Sequence, residues 1–141
     1  MKLKNNNSGF TLLEIIIVII ILGVLASLAL PRFLKTSESS KGAESLQVMT
    51  ALRTALEAHF AKNNTYGGAV LGTAAHNLMV DDPANAANPH FTYGLSNLSA
   101  TRYTITATRN TADGGDGVST IATDVNGGTT TRTGTTPFVG I

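Results

Sequence analysis

Phe10 to Leu30 is an apolar run of 21 residues whose one charged side chain is Glu14. Coiled as an α-helix it would extend about 31 Å, which matches the hydrocarbon thickness of a bilayer. Lys2 and Lys4 precede the run, and Arg32 and Lys35 follow it. Positive charge flanks both ends, so the charge rule alone does not orient a span. The shortness of the N-terminal side favours leaving that side in the cytoplasm. Two ordinary readings fit such a segment. One is a cleaved secretory signal with a small-residue site near Val24-Leu25-Ala26, releasing a chain that begins near Ser27. The other is an uncleaved membrane anchor. Neither accounts for Glu14. An acid inside an apolar span costs on the order of 2.5–3.5 kcal/mol on insertion scales. No Lys or Arg lies within two turns of it on the same helix.

Gly9-Phe10-Thr11-Leu12-Leu13-Glu14, followed by a long aliphatic run, resembles the class III signal of type IV prepilins and type II secretion pseudopilins. The resemblance implies that a prepilin peptidase/methyltransferase cuts between Gly9 and Phe10 and methylates the new amine of Phe10. It also implies a partner for Glu14, whose carboxylate would meet the N-terminal amine of a neighbouring subunit in a filament core. An ammonium and a carboxylate in a dry core are far less costly together than either one alone. The short leader and the Phe at the new terminus look like the type IVa and pseudopilin branch. The resemblance is strong over residues 8–35 and weaker beyond.

Pro31 interrupts what otherwise reads as continuous helix. It has no N–H for the carbonyl of Ser27, and Gly23, two turns earlier, adds backbone freedom. A kink is the plain expectation. The resemblance further implies a segment, Gly23 to Pro31, that can melt during assembly or stretching. From Ser37 to Asn63 the pattern becomes amphipathic. Leu46, Met49, Leu52, Leu56 and Phe60 recur at helical spacing, Ala43 and Ala55 widen the stripe, and Arg53–Glu57 is an i,i+4 pair. Asn63-Asn64 reads as the stop. The stripe reads as core packing, and His59 at its border as a satisfied or solvated histidine.

Residues 64–141 differ in composition, with 13 threonines among the last 41 residues. Residues 66–98 read as loop-rich, with a short helical or extended piece at His76–Val80. Their apolar side chains, Phe91, Tyr93 and Leu95 among them, are expected to cover the helix stripe. Arg102–Arg109 alternates as a strand, with Tyr103, Ile105 and Ala107 on one face. Val118–Asp124 reads as a second strand and Thr129–Thr133 as a third, joined by the Asn126-Gly127-Gly128 turn. Pro137-Phe138-Val139 is expected to tuck back onto the sheet. The chain has no cysteine, so the disulfide that closes the last loop in many pilins is absent, as are thiolate and zinc–thiolate chemistry.

Asp113, Asp116, Asp124 and Asn126 offer hard oxygen ligands, and the resemblance to pseudopilins supplies a motive for calcium. Asp and Gly clusters are also ordinary turn chemistry, which is the preferred reading, so no cofactor is expected. His59, His76 and His90 are scattered, and no nucleophile or phosphate-binding motif accompanies them. An enzyme is not expected. The net charge of +1 gives no basic stripe. Arg102, Arg109 and Arg132 are few, with Arg102 and Arg109 on opposite faces of one strand, so nucleic acid is not expected as a partner.

The expected fold class is α+β, a pilin-like lollipop with a long N-terminal helix and a small antiparallel sheet. Its parts are a leader (1–9), a transmembrane or filament-core helix (10–35), an amphipathic helix (36–63) and a loop-rich head (64–141). The expected partners are the membrane, the peptidase, an inner-membrane assembly platform and further copies of the chain in a helical homopolymer. The function implied is a type IV pilus-like subunit, waiting in the inner membrane and then exposed on the cell surface for adhesion, motility or uptake. The alternatives are a major pseudopilin in a periplasmic pseudopilus that drives export, and a membrane-tethered binding domain that does not polymerise. The absence of tryptophan and the Thr- and Gly-rich end favour the pilus.

Overall fold

The computed structural model describes residues 9–71, 78, 80, 83 and 89–140. Lys2, Lys4, His76, Met79, Asp81 and Asp82 lie outside them, and with them the leader's charges and most of the His76–Val80 piece. The chain divides into two compact units between Thr36 and Ser37.

Helix α1 (Leu12–Asn63) provides the regular structure of the first unit and opens the second. Its start is capped by Thr11, whose Oγ1 accepts the Glu14 N–H at 3.3 Å. Thr11-x-x-Glu14 is therefore the spacing of a capping box, with an acid in the first turn where the helix dipole favours it. The helix continues unbroken through Pro31. It ends as the sequence predicts: Asn64 adopts a left-handed φ of 57° and its N–H closes the last turn on the Phe60 carbonyl at 2.6 Å.

In the second unit the helix presents Gly42, Ser45, Met49, Leu52, Leu56 and His59 inward. These positions alternate by three and four, which holds one stripe in line over five turns. Ala43, expected in the stripe, is exposed, and Gly42 and Ser45 take the inward positions. The Ser45 hydroxyl is satisfied within the helix by the Gly42 carbonyl at 2.7 Å.

The sheet is a four-stranded antiparallel meander: β1 (Phe91–Ser96), β2 (Arg102–Arg109), β3 (Thr120–Asn126) and β4 (Thr129–Gly134). β1 corrects the loop reading of residues 66–98. Phe91, Tyr93 and Leu95 alternate along a strand, with Phe91 opposite Arg109 and Leu95 opposite Ile105. β3 begins two residues later than expected because Asp116 caps the turn before it. Asn126 pairs with Thr129 across Gly127 and Gly128, whose φ angles of 56° and 87° suit the two-residue hairpin.

One face of the sheet and the helix stripe enclose the core. Tyr103, Ile105, Ala107 and Ile121 are inaccessible to solvent, as are Leu52, Leu56 and Phe138. Burying each of the large side chains contributes about 1.5–3 kcal/mol. The C-terminal tuck rests on Phe138, whose ring lies 5.4 Å from that of Phe91, while Val139 is exposed. Ser119 donates to the Thr136 carbonyl at 2.7 Å and Thr135 to that of Thr120 at 2.9 Å. These contacts hold the end that a disulfide closes in many pilins.

Candidate assembly site

Gly9 and Phe10 form a non-helical lead-in, and Phe10 is 79% exposed. From Leu12 to Leu34 the large apolar side chains are exposed around the whole circumference of the helix. A helix apolar on every side needs lipid or other helices around it. Its composition and length satisfy those of a membrane span. Glu14 lies in the first turn of this segment. Ser27 donates its hydroxyl to the Val24 carbonyl at 2.7 Å, one turn before Pro31. Gly23 has open space where a Cβ would stand.

In the second unit, Arg109 is 2% exposed at the end of β2. It belongs to the same face as Tyr103, Ile105 and Ala107. Its guanidinium forks onto Glu38, with Nε 2.9 Å from Oε2 and Nη2 3.2 Å from Oε1. Nη2 also lies 2.7 Å from the Asp113 carboxylate, and Nη1 donates to the His90 carbonyl at 2.8 Å. Lys41 bridges the same two acids, at 3.2 Å from Glu38 and 3.1 Å from Asp113. His90 Nδ1 lies 2.6 Å from Asp113. The Lys41 bond, joined by those of His90 and Arg109, holds the Asp113 carboxyl down at about 2. The Arg109 bond likewise lowers Glu38 against the opposing effect of burial.

Residues 31–120, which are 90 of the 141, match the family model "Type IV minor pilin ComP, DNA uptake sequence receptor". The chain belongs to this type IV pilin family. Residues 4–30 of the pilin match the prokaryotic N-terminal methylation motif. Among similar proteins is the type II secretion system core protein G of Aeromonas hydrophila, 37% identical over 86 residues, 61% of this chain and 58% of that protein. The type IV major pilin protein PilA of Myxococcus xanthus is 42% identical over 65 residues, 46% of this chain and 30% of that protein. The Vibrio cholerae core protein G is 34% identical over 85 residues, 60% of this chain and 56% of that protein. The pilin thus matches less than two thirds of the length of each of these relatives.

The carboxylates considered for calcium are drawn to separate donors in this pilin. Asp113 belongs to the Arg109 cluster. Asp116 accepts the backbone N–H groups of Val118 and Ser119, at 3.0 and 2.8 Å, and the Ser119 hydroxyl. The Ser119 bond leads these in lowering its carboxyl to about 2. Asp124 receives Thr104 Oγ1 at 2.7 Å and Arg102 at 3.2–3.3 Å. Asp116 is thereby a turn cap and Asp124 a cross-strand partner on the outer face.

Glu57 replaces the expected Arg53 pairing with two tyrosines, accepting Tyr66 at 2.9 Å and Tyr103 at 3.1 Å. Burial and then the Glu57 bond push both phenols up. His59 is buried rather than at a border. Asn63 Nδ2 lies 3.1 Å from its Nδ1, while its Nε2 is buried without a partner among the described residues. The Arg109 cluster is the part that sequence reasoning missed. The alternation of β2 turns Arg109 inward, but its partner Glu38 is 71 residues away, and spacing carries no signal over that distance.

Proposed function

We propose that this pilin is a structural subunit of a surface type IV filament. In this reading residues 1–9 are a leader removed by prepilin peptidase, and Phe10 becomes the N-methylated terminus. Residues 10–35 hold the subunit in the inner membrane and then enter the filament core. Residues 36–63 carry the head, 64–141. The observation that supports this best is the helix from Leu12 to Leu34, exposed and apolar on all sides, with one acid in its first turn. In a monomeric tether Glu14 serves only the start of the helix, whereas a polymer also supplies an amine for its carboxylate. Moving the segment from lipid to a protein core changes apolar exposure little, so packing and this ion pair set the register. Gly23, Ser27 and Pro31 form the soft stretch, because the Ser27 carbonyl receives no bond from Pro31.

The test is the intact mass and N-terminal residue of protein sheared from the cell surface. A chain beginning at N-methylated Phe10, lost from that fraction in Glu14→Ala, is the expected result. A chain that begins near Ser27, or that retains Met1 and stays in the membrane, contradicts the reading. Recovery of processed chain only from the periplasm favours the pseudopilus, which the core protein G relatives support.

Capture of duplex DNA by the head is a second reading, favoured by the family model over residues 31–120. The cations open to phosphate are Arg53, Lys62 and Arg132, since Lys41, Arg102 and Arg109 are committed to carboxylates. Phosphate neutralisation by so few groups gives a shallow salt dependence, with a slope of about −3 at most. Fluorescence anisotropy of labelled duplex against sheared filaments tests it. Loss of binding in Arg53→Gln/Lys62→Gln supports the reading, and no binding at low salt rejects it.

A further inference from the structure

A cleft of about 340 Å³, including its open mouth, lies between α1 and the start of β1. Glu44 and Val48 line it from the helix, and Pro89, His90 and Tyr93 from the strand side. Its walls among the described residues are mostly apolar, with the Glu44 carboxylate at the mouth. The Glu44 side chain is 63% exposed, and its Oε2 lies 3.8 Å from His90 Nε2. His90 has its Nδ1 against the Asp113 carboxylate, which turns Nε2 toward Glu44 and the mouth. The Glu44 carboxylate and the imidazole edge share one mouth, separated by more than a hydrogen bond. The exposed Glu44 carboxylate can take a planar cation with several N–H donors, and guanidinium has that shape. Tyr93, pushed up to about 12 chiefly by burial and then by the Glu44 charge, lines the same cleft.

The chain has five arginines. Arg102 and Arg109 are held in ion pairs. Arg32 adjoins the apolar segment, and Arg53 is on the same helix as Glu44. Arg132 remains. It stands on β4, an edge strand with exposed side chains from Thr129 to Thr133. Its register partner Thr123 is buried, so Arg132 points to the core side of the sheet but beyond the core's edge. An inward charge there also guards an edge strand against unwanted pairing. The cleft adjoins β1, and β1 and β4 are opposite edges of one sheet. A head-to-tail polymer needs two complementary patches on different sides of each subunit.

We propose that in the filament Arg132 of one copy seats its guanidinium in the Glu44 cleft of the next. The contact rests on the filament reading above. Because the chain has no cysteine, Glu44→Cys/Arg132→Cys gives a clean crosslinking pair. A short bis-maleimide suits it, since a Glu–Arg pair holds its Cβ atoms farther apart than the roughly 4 Å of a disulfide. Intact filaments of the double variant are expected to give a ladder of multimers that neither single variant gives. In parallel, Glu44→Arg or Arg132→Glu alone should lower filament yield about fivefold, and the double reversal should restore it to within about twofold. Filaments that form normally but give no ladder, or a double reversal no better than the singles, overturn this contact and leave assembly standing. A parent chain that gives no filaments overturns the filament reading and the contact with it.

Discussion

Arg109 and Glu38, 71 residues apart in the chain, form a two-point ion pair in which the arginine is almost completely removed from solvent. The fork joins the first turns of α1 in the second unit to the end of β2. Asp113, Lys41 and His90 complete the shell, so little of the guanidinium's hydrogen-bonding capacity is unmet. Arg109 also lies over the Phe91 ring, 5.7 Å from its centroid.

Removing one member of a buried pair leaves the other charge without compensation. Arg109→Ala should destabilise the head by about 3–5 kcal/mol. Arg109→Lys should recover only part of this, because an ammonium cannot fork onto Glu38 while reaching the His90 carbonyl. Urea unfolding of the detergent-solubilised chain, followed by tyrosine near-UV dichroism, measures both. Equal stability of the parent chain and Arg109→Ala would contradict the packing described.

The acids of the head predict a direction for pH dependence. Asp113 and Asp116 lie at about 2 in the folded chain against an ordinary 3.8, and Glu38 is also lowered. The unfolded chain therefore binds more protons as the medium is acidified. Their stabilisation is complete above the ordinary carboxylate range and declines as pH falls from about 4 to about 2. Urea midpoints across that window should fall in the parent chain and fall less in Asp116→Asn, whose starting stability is lower.

Phe138 is expected to act as the fastener of the C-terminal end. Phe138→Ala removes a fully buried ring and should cost about 3–5 kcal/mol. Hydrogen exchange at the Thr135 amide, bonded to the Thr120 carbonyl in the parent, should accelerate together with that loss. Gly134→Ala should act in the same direction, because its Cβ would fall on the Phe138 carbonyl. Unchanged exchange in both variants would show that the tuck is held elsewhere.

His59 offers a gain. Its Nε2 is buried without an acceptor among the described residues, whereas Asn63 keeps a bond to the His59 backbone carbonyl at 3.0 Å whatever the side chain. Relieving an unsatisfied polar atom is worth about 1–3 kcal/mol, less the cost of imperfect packing. His59→Leu should therefore leave the melting temperature unchanged or raise it. A clear fall would mean that water or another group serves Nε2 in solution.

Local rules carried the fold a long way. Tyr103, Ile105 and Ala107 announced β2 by alternation, Asn126-Gly127-Gly128 announced the hairpin, and Asn64 the helix end. β1 was concealed because it follows Asn88-Pro89 and contains Gly94, so its Phe91, Tyr93 and Leu95 alternation read as loop. Hydrophobicity places Ala43 inward, but the close inward positions belong to Gly42 and to Ser45, whose hydroxyl the helix itself satisfies. For the assembly segment, Glu14 was legible as an anomaly, yet its place three residues after the capping Thr11 emerged only from the fold. The Arg109 cluster draws residues from three separate parts of the chain, and such convergence has no signature in local spacing.

The β3–β4 hairpin has a different consequence. Every side chain from Asn126 to Thr133 is exposed, and the Gly127-Gly128 tip meets nothing that a Cβ would strike. Selection for folding therefore exerts little hold on the threonines there, beyond the ladder itself and the left-handed backbone of the two glycines. Arg132 apart, the threonines of this hairpin can change outward chemistry while the buried half of the head stays fixed.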